Sequence, residues 1–394
     1  MVRQRLTESA GAPNRPRTGD HGGHRRPRNG FICGKDRVKT WNILVTGSNG
    51  LIGSEAVEYF DRLGHRVTGI DNNMRRLFFG ASGDTQWNLR RLREGTKRFT
   101  HIDMDLRDRA RLFELFAQER FDLVLHCAAQ PSHDKAAEIP LLDFEVNAVA
   151  TIYLLEAVRE HCPDAALIFL STNKVYGEAP NEKSLKELPT RYDYADREDC
   201  DGIDETCRID RTLHSLFGAS KAAADIYAQE YGRYFGLNVG IFRAGCMTGP
   251  QHSGVELHGF LSYLVKVAMS GESYTIFGFK GKQVRDNIHS YDAVRAFEEF
   301  ARKPRPGEVY NLGGGRENSV SVIEAIALVE ETTGRKIVQK YREQPRKADH
   351  ICYISNLNKL KSHYPDWKIT RTLPNILEEM VSAEREQIQG VRAV

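Results

Sequence analysis

Residues Asn42-Ile43-Leu44-Val45-Thr46-Gly47-Ser48-Asn49-Gly50-Leu51-Ile52-Gly53 carry a short apolar strand straight into three glycines spaced three apart, and then into a helix. Few folds accept that order. Gly47 permits the tight turn out of the strand, Gly50 lets backbone N–H groups approach a pyrophosphate, and Gly53 lets the helix lie close to the sheet. Ser48, Asn49, Leu51 and Ile52 complete the turn and the first helical turn, so all seven residues from Gly47 to Gly53 are candidate cofactor ligands. The next apolar run, His65-Arg66-Val67-Thr68-Gly69-Ile70, ends at Asp71, 24 positions after Gly47. An acid at that distance suits an adenosine ribose, with Asn72 beside it, and favours NAD. Arg75 and Arg76 follow closely and would instead accept the 2′-phosphate of NADP.

The spacing predicts parallel strands over 42–46, 66–70, 98–102, 121–126, 166–171 and 238–242, with helices near 51–63, 108–118, 143–160 and 218–235. Alternation of this kind defines an α/β fold, a Rossmann-type doubly wound parallel sheet covered on both faces, here with a smaller C-terminal substrate-binding lobe. Ligands bind such sheets at the carboxyl ends of the strands. The clusters there are Asp103/Asp105, Cys127-Ala128-Ala129-Gln130, Ser171-Thr172-Asn173-Lys174 and Arg243-Ala244-Gly245-Cys246. The expected division is a basic tail over 1–40, an NAD-binding domain over 41–242 and a substrate lobe over 243–394, with 287–310 returning to the first domain. A polar stretch at 178–213 is too long for an ordinary connection and reads as a functional loop over the site.

Charge is unevenly spread. Residues 1–40 carry a net +7, which leaves −4 on the rest of a chain whose total is +3. That Arg-, Pro- and Gly-rich tail lacks apolar periodicity and reads as a disordered, solvated extension, so no nucleic-acid partner is expected. No apolar run approaches the length of a membrane span. Seven scattered cysteines without a Cys-x-x-Cys pair fit reduced thiols in a cytoplasm. Cys200 and Cys207 match no zinc spacing, and no metal is expected.

Several motifs occur together in order: Thr46-Gly47-x-x-Gly50-x-x-Gly53, Asp105-Leu106-Arg107, Ala128-Ala129, Ser171-Thr172…Val175-Tyr176-Gly177, Arg243…Gly249-Pro250 and Gln283-Val284-Arg285-Asp286. On these the chain, from 42 to about 370, resembles the extended short-chain dehydrogenase/reductase family of nucleotide-sugar enzymes. Ser171 to Gly177, the insert with Gly202-Ile203-Asp204-Glu205, and Gly281 to Asp286 look most like its 2-epimerases of CDP-linked hexoses. The resemblance implies an isomerase that oxidises a sugar carbon to a ketone and re-reduces it, with NAD as cofactor. It implies that Asp105 and Leu106 contact adenine, that Thr172 meets the substrate hydroxyl, and that Lys221 serves the nicotinamide ribose and the proton transfer. Helices near 108–118 and 143–160 resemble those that pair in homodimers of the family.

Two departures from the family's pattern bear on chemistry. Dehydratases carry Asp-Glu where this chain has Asn173-Lys174, and elimination of water needs an acid and a base, whereas an epimerase needs only one proton shuttle. The family's Tyr four positions before the catalytic Lys is replaced by Phe217, whose ring keeps the shape but cannot take a proton. Candidate substitutes are Lys221 itself, directly or through a water, then His214, Tyr176, Cys246, or a residue of the insert, with Lys174 also at the reacting end. A desolvated Lys beside a cationic ring has a lowered pKa, which makes Lys221 the first choice. His133, Asn173 and Cys246 are candidate sugar ligands. Arg285 and Arg346 are candidates for the diphosphate because guanidinium grips phosphate oxygens bidentately; His252, Leu257 and His258 are candidates for the base and sugar. Alternatives are a dehydratase or other nucleotide-sugar redox enzyme, and a non-catalytic nucleotide-binding protein.

Overall fold

The computed structural model describes residues 39–390 apart from Leu257. Nearly all of the basic tail, Cys33 and the Leu257 assignment therefore lie outside the described residues. The strands are β1 (Asn42–Thr46), β2 (Arg66–Ile70), β3 (Phe99–Ile102), β4 (Leu123–His126), β5 (Ala166–Thr172), β6 (Leu185–Glu187), β7 (Tyr192–Tyr194), β8 (Val239–Ala244), β9 (Cys246–Thr248), β10 (Ser273–Phe277), β11 (Val284–His289), β12 (Glu308–Leu312), β13 (Ser319–Ser321), β14 (Val338–Arg342) and β15 (Cys352–Tyr353). The α-helices are α1 (Leu51–Arg62), α2 (Met74–Phe79), α3 (Gln86–Gly95), α4 (Arg109–Gln118), α5 (His133–Glu138), α6 (Pro140–Phe144), α7 (Ala150–His161), α8 (Leu216–Phe235), α9 (Phe260–Ser270), α10 (Ser290–Arg302), α11 (Val322–Thr333), α12 (Asn358–His363) and α13 (Leu373–Ile388).

Seven strands pair in parallel in the order β12-β8-β5-β4-β1-β2-β3. The chain reverses direction of travel between β1 and β4, which opens a crevice at their carboxyl ends. Strands β4 and β8 are buried along their whole length, as a sheet covered on both faces requires. One face packs Phe60 of α1 and Phe297 and Phe300 of α10 on Ile43, Val45 and Phe242; the other packs Phe116 of α4, Leu154 of α7 and Ala228 of α8 on Leu44, Val124 and Phe169. A third apolar cluster, from α9, α11, α13 and β10, supports the C-terminal elements.

The helix expected over 143–160 is broken. Residues Glu145–Val149 form a single π turn between α6 and α7. Such turns widen a helix and commonly sit at functional positions. This one carries Asn147, whose amide faces Gln130, Asp143 and Ser220, so it ties the end of β4 to α8.

The 178–213 segment departs from its sequence reading as a loop over the site. It holds the β6–β7 hairpin, and Tyr194 and Ile203 are buried with Tyr176, Val284 and Tyr353. None of its residues lines the main cavity.

Candidate active site

A cavity of about 450 Å³ lies along the carboxyl edge of the sheet, reached by β1, β2, β4, β5 and β8 on one side and by 246–261, 274–287 and 346–349 on the other. Its floor is the glycine turn. Gly47 has a φ of 68°, and a Cβ there would lie 2.8 Å from the Ala128 amide nitrogen. A Cβ on Gly53 would lie 2.1 Å from the Gly47 carbonyl oxygen, so no larger residue fits without displacing the turn. Helix α1 starts at Leu51 with no side-chain cap and no acid in its first turn, leaving its N–H groups to an anion. Asp71 accepts backbone N–H bonds from Asn49 (3.0 Å) and Asn73 (2.8 Å), which pins its carboxylate at the cavity edge. The glycine cradle and the anchored acid fit a dinucleotide.

Gly47, Gly50, Leu51, Ile52, Gly53, Asp71, Asn72, Asp105, Leu106, Ala128 and Ala129 all line this cavity. Ser48 and Asn49 sit buried beneath the turn instead, and Gln130 is buried with its amide on Ser132 and Asp143. Of the two arginines weighed for a 2′-phosphate, Arg76 pairs with Asp84 at 3.2 Å, while Arg75 points to the Ser253 carbonyl.

Helix α8 delivers the reacting end. Ser215 caps it by accepting the Gly218 N–H at 3.2 Å, and a Cβ on Gly218 would meet the Lys174 carbonyl at 2.7 Å, so the helix lies tightly on the 173–176 turn. Phe217, Lys221 and Asp225 fall four apart on one face. Phe217 is buried with its ring stacked on His133, 6.5 Å between centroids. Lys221 Nζ donates to the Leu170 carbonyl at 2.8 Å and sits 4.2 Å over the Phe169 ring. Burial lowers its pKa to about 8, with Asp225 and Asp143 opposing the shift. Below it, Asp225 pairs with Arg243 at 2.8 Å and accepts the Ser171 hydroxyl at 2.6 Å.

Thr172, Asn173, Lys174, Phe217, Lys221, His133 and Cys246 share the cavity wall with Arg285 and Arg346. Lys174 Nζ is held by Asp349 at 2.9 Å, and Arg285 grips the same carboxylate at 2.6 Å. Burial pushes Asp349 upward, but Arg285 and Lys174 outweigh it and hold the carboxyl well below the ordinary range. Arg346 pairs with Asp134. Burial and the nearby Lys174 and Arg346 charges take His133 down to about 3, so its ring is neutral. Burial raises the Cys246 thiol to about 11, which removes it as a thiolate.

Two of the candidates for proton transfer lie off the cavity wall. Tyr176 is fully buried, donating to Asn311 at 2.7 Å and accepting from Arg243, and burial pushes its phenol upward. Both ring nitrogens of His214 face backbone carbonyls, of Thr212 (3.0 Å) and Val175 (2.8 Å). Asp349 escaped the sequence reading; its signal was its place three residues after Arg346 and just before the apolar Ile351–Ile354 run.

A doubly wound sheet with a glycine cradle, an anchored ribose acid and a buried lysine at the reacting end defines a dinucleotide-dependent enzyme acting on a second ligand in the same cavity. Residues 43–313 match the model of the NAD dependent epimerase/dehydratase family. The chain is 32% identical over 333 residues to CDP-paratose 2-epimerase of Salmonella typhi, covering 82% of this chain and 94% of that one. It is 28% identical to dTDP-glucose 4,6-dehydratase 1 of Escherichia coli K12, covering 80% and 81%. Among solved structures, UDP-glucose 4-epimerase of Thermotoga maritima with UDP-glucose aligns with a TM-score of 0.70 at 27% identity, covering 88% of this chain and 99% of that chain. The chain belongs to the NAD dependent epimerase/dehydratase family, and its cofactor is NAD.

Proposed function

We propose that this protein inverts one carbon of a nucleotide-activated sugar, with C2 of a CDP-hexose as the substrate closest to its relatives. The observation that carries this reading is the pairing of Thr172 and Lys221 with Asn173 and Lys174 in one cavity wall. Elimination of water needs an acid and a base beside the sugar. Positions 173 and 174 offer neither carboxylate, and Lys174 is already bound to Asp349. Bound NAD supplies the oxidant for the sugar carbon and, once reduced, the reductant that restores it. Gly47, Gly50, Leu51 and Asp71 would hold it, with Lys221 on the wall of the same cavity. Thr172 Oγ1 hydrogen-bonds the sugar hydroxyl, and Lys221 Nζ takes its proton and returns it. With its pKa near 8, a useful fraction of that amine is unprotonated at neutral pH. Arg285 and Arg346, both on the cavity wall and paired with Asp349 and Asp134, are the residues assigned to the diphosphate in this reading. The same reading includes a homodimer paired through α4 and α7 and a cytoplasmic location; the six described cysteines are all free thiols. Among the described residues no helix is long and apolar enough to cross a membrane.

The test is turnover in D₂O. CDP-paratose and CDP-glucose are incubated with the protein and the C2 proton is followed by NMR. Inversion at C2 without deuterium in the product is expected, because the hydrogen that leaves the carbon does not mix with water. Deuterium at C2, or loss of water from the sugar, would replace the epimerase reading with a solvent-exchange or dehydratase one.

Phe217→Tyr is expected to change kcat by less than about fivefold, since Lys221 is placed to move the proton without a phenol. A gain of 100-fold would show that the natural site works far below what the fold permits and that Lys221 is not an adequate base.

A further inference from the structure

Arg75 lines the same cavity, partly buried, and enters no ion pair among the described residues. Asn73, at the N-terminus of α2, has a left-handed φ of 57°; in the helix that follows, Arg76 pairs with Asp84 while Arg75 lines the cavity. The guanidinium lies 4.7 Å over the Phe79 ring and donates from Nη2 to the Ser253 carbonyl at 2.7 Å, which fixes its plane. Nη2 also lies 3.4 Å from His258 Nδ1, while Nε and Nη1 make no hydrogen bond among the described residues. Burial alone pulls its pKa to about 10, with no acid acting against the shift, so it remains a cation at neutral pH.

The opposing wall is equally unfinished. His252 and His258 meet edge to face, 5.4 Å between centroids, and burial with the Arg75 charge keeps both rings neutral. The Nδ1 of His252 and the Oε1 of the adjoining Gln251 are buried with no hydrogen-bond partner among the described residues. A cation without a counter-ion beside unmade hydrogen bonds is costly unless a ligand completes it. Gln251 Oε1 seeks a donor, whereas the Arg75 guanidinium and the Nδ1 of His252, in the tautomer that carries its proton there, can donate to an anion.

We propose that Arg75, with His252, forms a seat for a phosphoryl oxygen of a ligand bound in this cavity. This deepens the epimerase reading and rests on it for the choice of ligand, because both the cofactor and an activated sugar carry a diphosphate. The guanidinium neutralises the anion, and its fixed plane orients it.

The test is calorimetric titration of the full chain with ADP-ribose for the cofactor side, with CDP and UDP for the sugar side, and with adenosine and cytidine as uncharged controls. Arg75→Gln is expected to weaken a diphosphate ligand by roughly 10- to 100-fold and leave the nucleosides within twofold, while Arg75→Lys recovers part of the loss. A loss confined to ADP-ribose assigns the seat to the cofactor, and one confined to CDP or UDP assigns it to the sugar nucleotide. Phenylglyoxal labelling of the unmutated protein gives a reading free of folding effects: a bound diphosphate should protect Arg75 at least fivefold. Unchanged diphosphate affinities in Arg75→Gln, no diphosphate binding by the natural protein, or no protection of Arg75 each overturn the proposal. A protein that binds diphosphates through Arg75 yet inverts no sugar keeps the seat and sinks the epimerase reading.

Discussion

Lys221→Met should lower kcat by about 10²- to 10⁴-fold, the range general acid–base catalysis contributes, while thermal unfolding stays unchanged or moves upward. Methionine fills a similar volume, loses the bond to the Leu170 carbonyl, and removes a charge that burial disfavours. In the natural protein, kcat should rise with pH through an inflection near 8 and level off above it, since only the unprotonated amine accepts the hydroxyl proton. Stability follows the same group. The folded protein releases this proton near 8 and the unfolded chain near 10.5, so the unfolded state binds more protons between those values and stability rises with pH across that window. Steady-state rates from pH 6 to 9, with thermal melts of both proteins, decide the matter. A variant within tenfold of the natural kcat, or a flat pH profile, would move the base elsewhere in the cavity.

Asp225→Ala is expected to cost about 3–5 kcal/mol of folding stability, because it strands the Arg243 guanidinium in the interior. The pair is almost wholly enclosed, with side-chain exposures of 4% and 0% for Arg243 and Asp225. Asp225 also accepts from Ser171 and Gln229, so four hydrogen bonds from three side chains depend on one carboxylate. Urea unfolding measures the loss, and a double variant that also replaces Arg243 with Met should recover part of it. A single-variant cost below about 1 kcal/mol would mean that water or a shifted neighbour satisfies Arg243. Activity should fall with stability, since Asp225 sits one helical turn beneath Lys221 and holds α8 against β5.

The main sheet was legible because its strands are short apolar runs between breakers; the runs 42–46 and 66–70 coincide with β1 and β2. Helices α2 and α3 were not. Arg75, Arg76, Arg90, Arg91 and Arg93 make that stretch read as polar, and α3 buries only Asn88, Leu89 and Leu92. The π turn was hidden for another reason: Asn147 is satisfied by Gln130 and Ser220, and only the folded chain brings those together. In the site, the spacing of Thr172, Phe217 and Lys221 was readable because each lies on an element with a local signature. The Lys174–Asp349 pair spans 175 positions and the Arg75 bond to the Ser253 carbonyl spans 178, and neither leaves a local trace.

The 178–213 segment also bears on how this protein can be taken apart. Its Glu205 accepts the Asn311 N–H at 2.7 Å, Asn311 in turn donates to the Ile203 carbonyl, and Tyr194 and Ile203 complete an apolar cluster with Val284 and Tyr353. A stretch that reads as an accessory is thus wired to the last strand of the main sheet and to the small sheet at once. It is not a cassette that can be trimmed or traded between relatives: excision would open interior surface on both sheets, and a graft would have to bring its counterparts on β11, β12 and β15 with it.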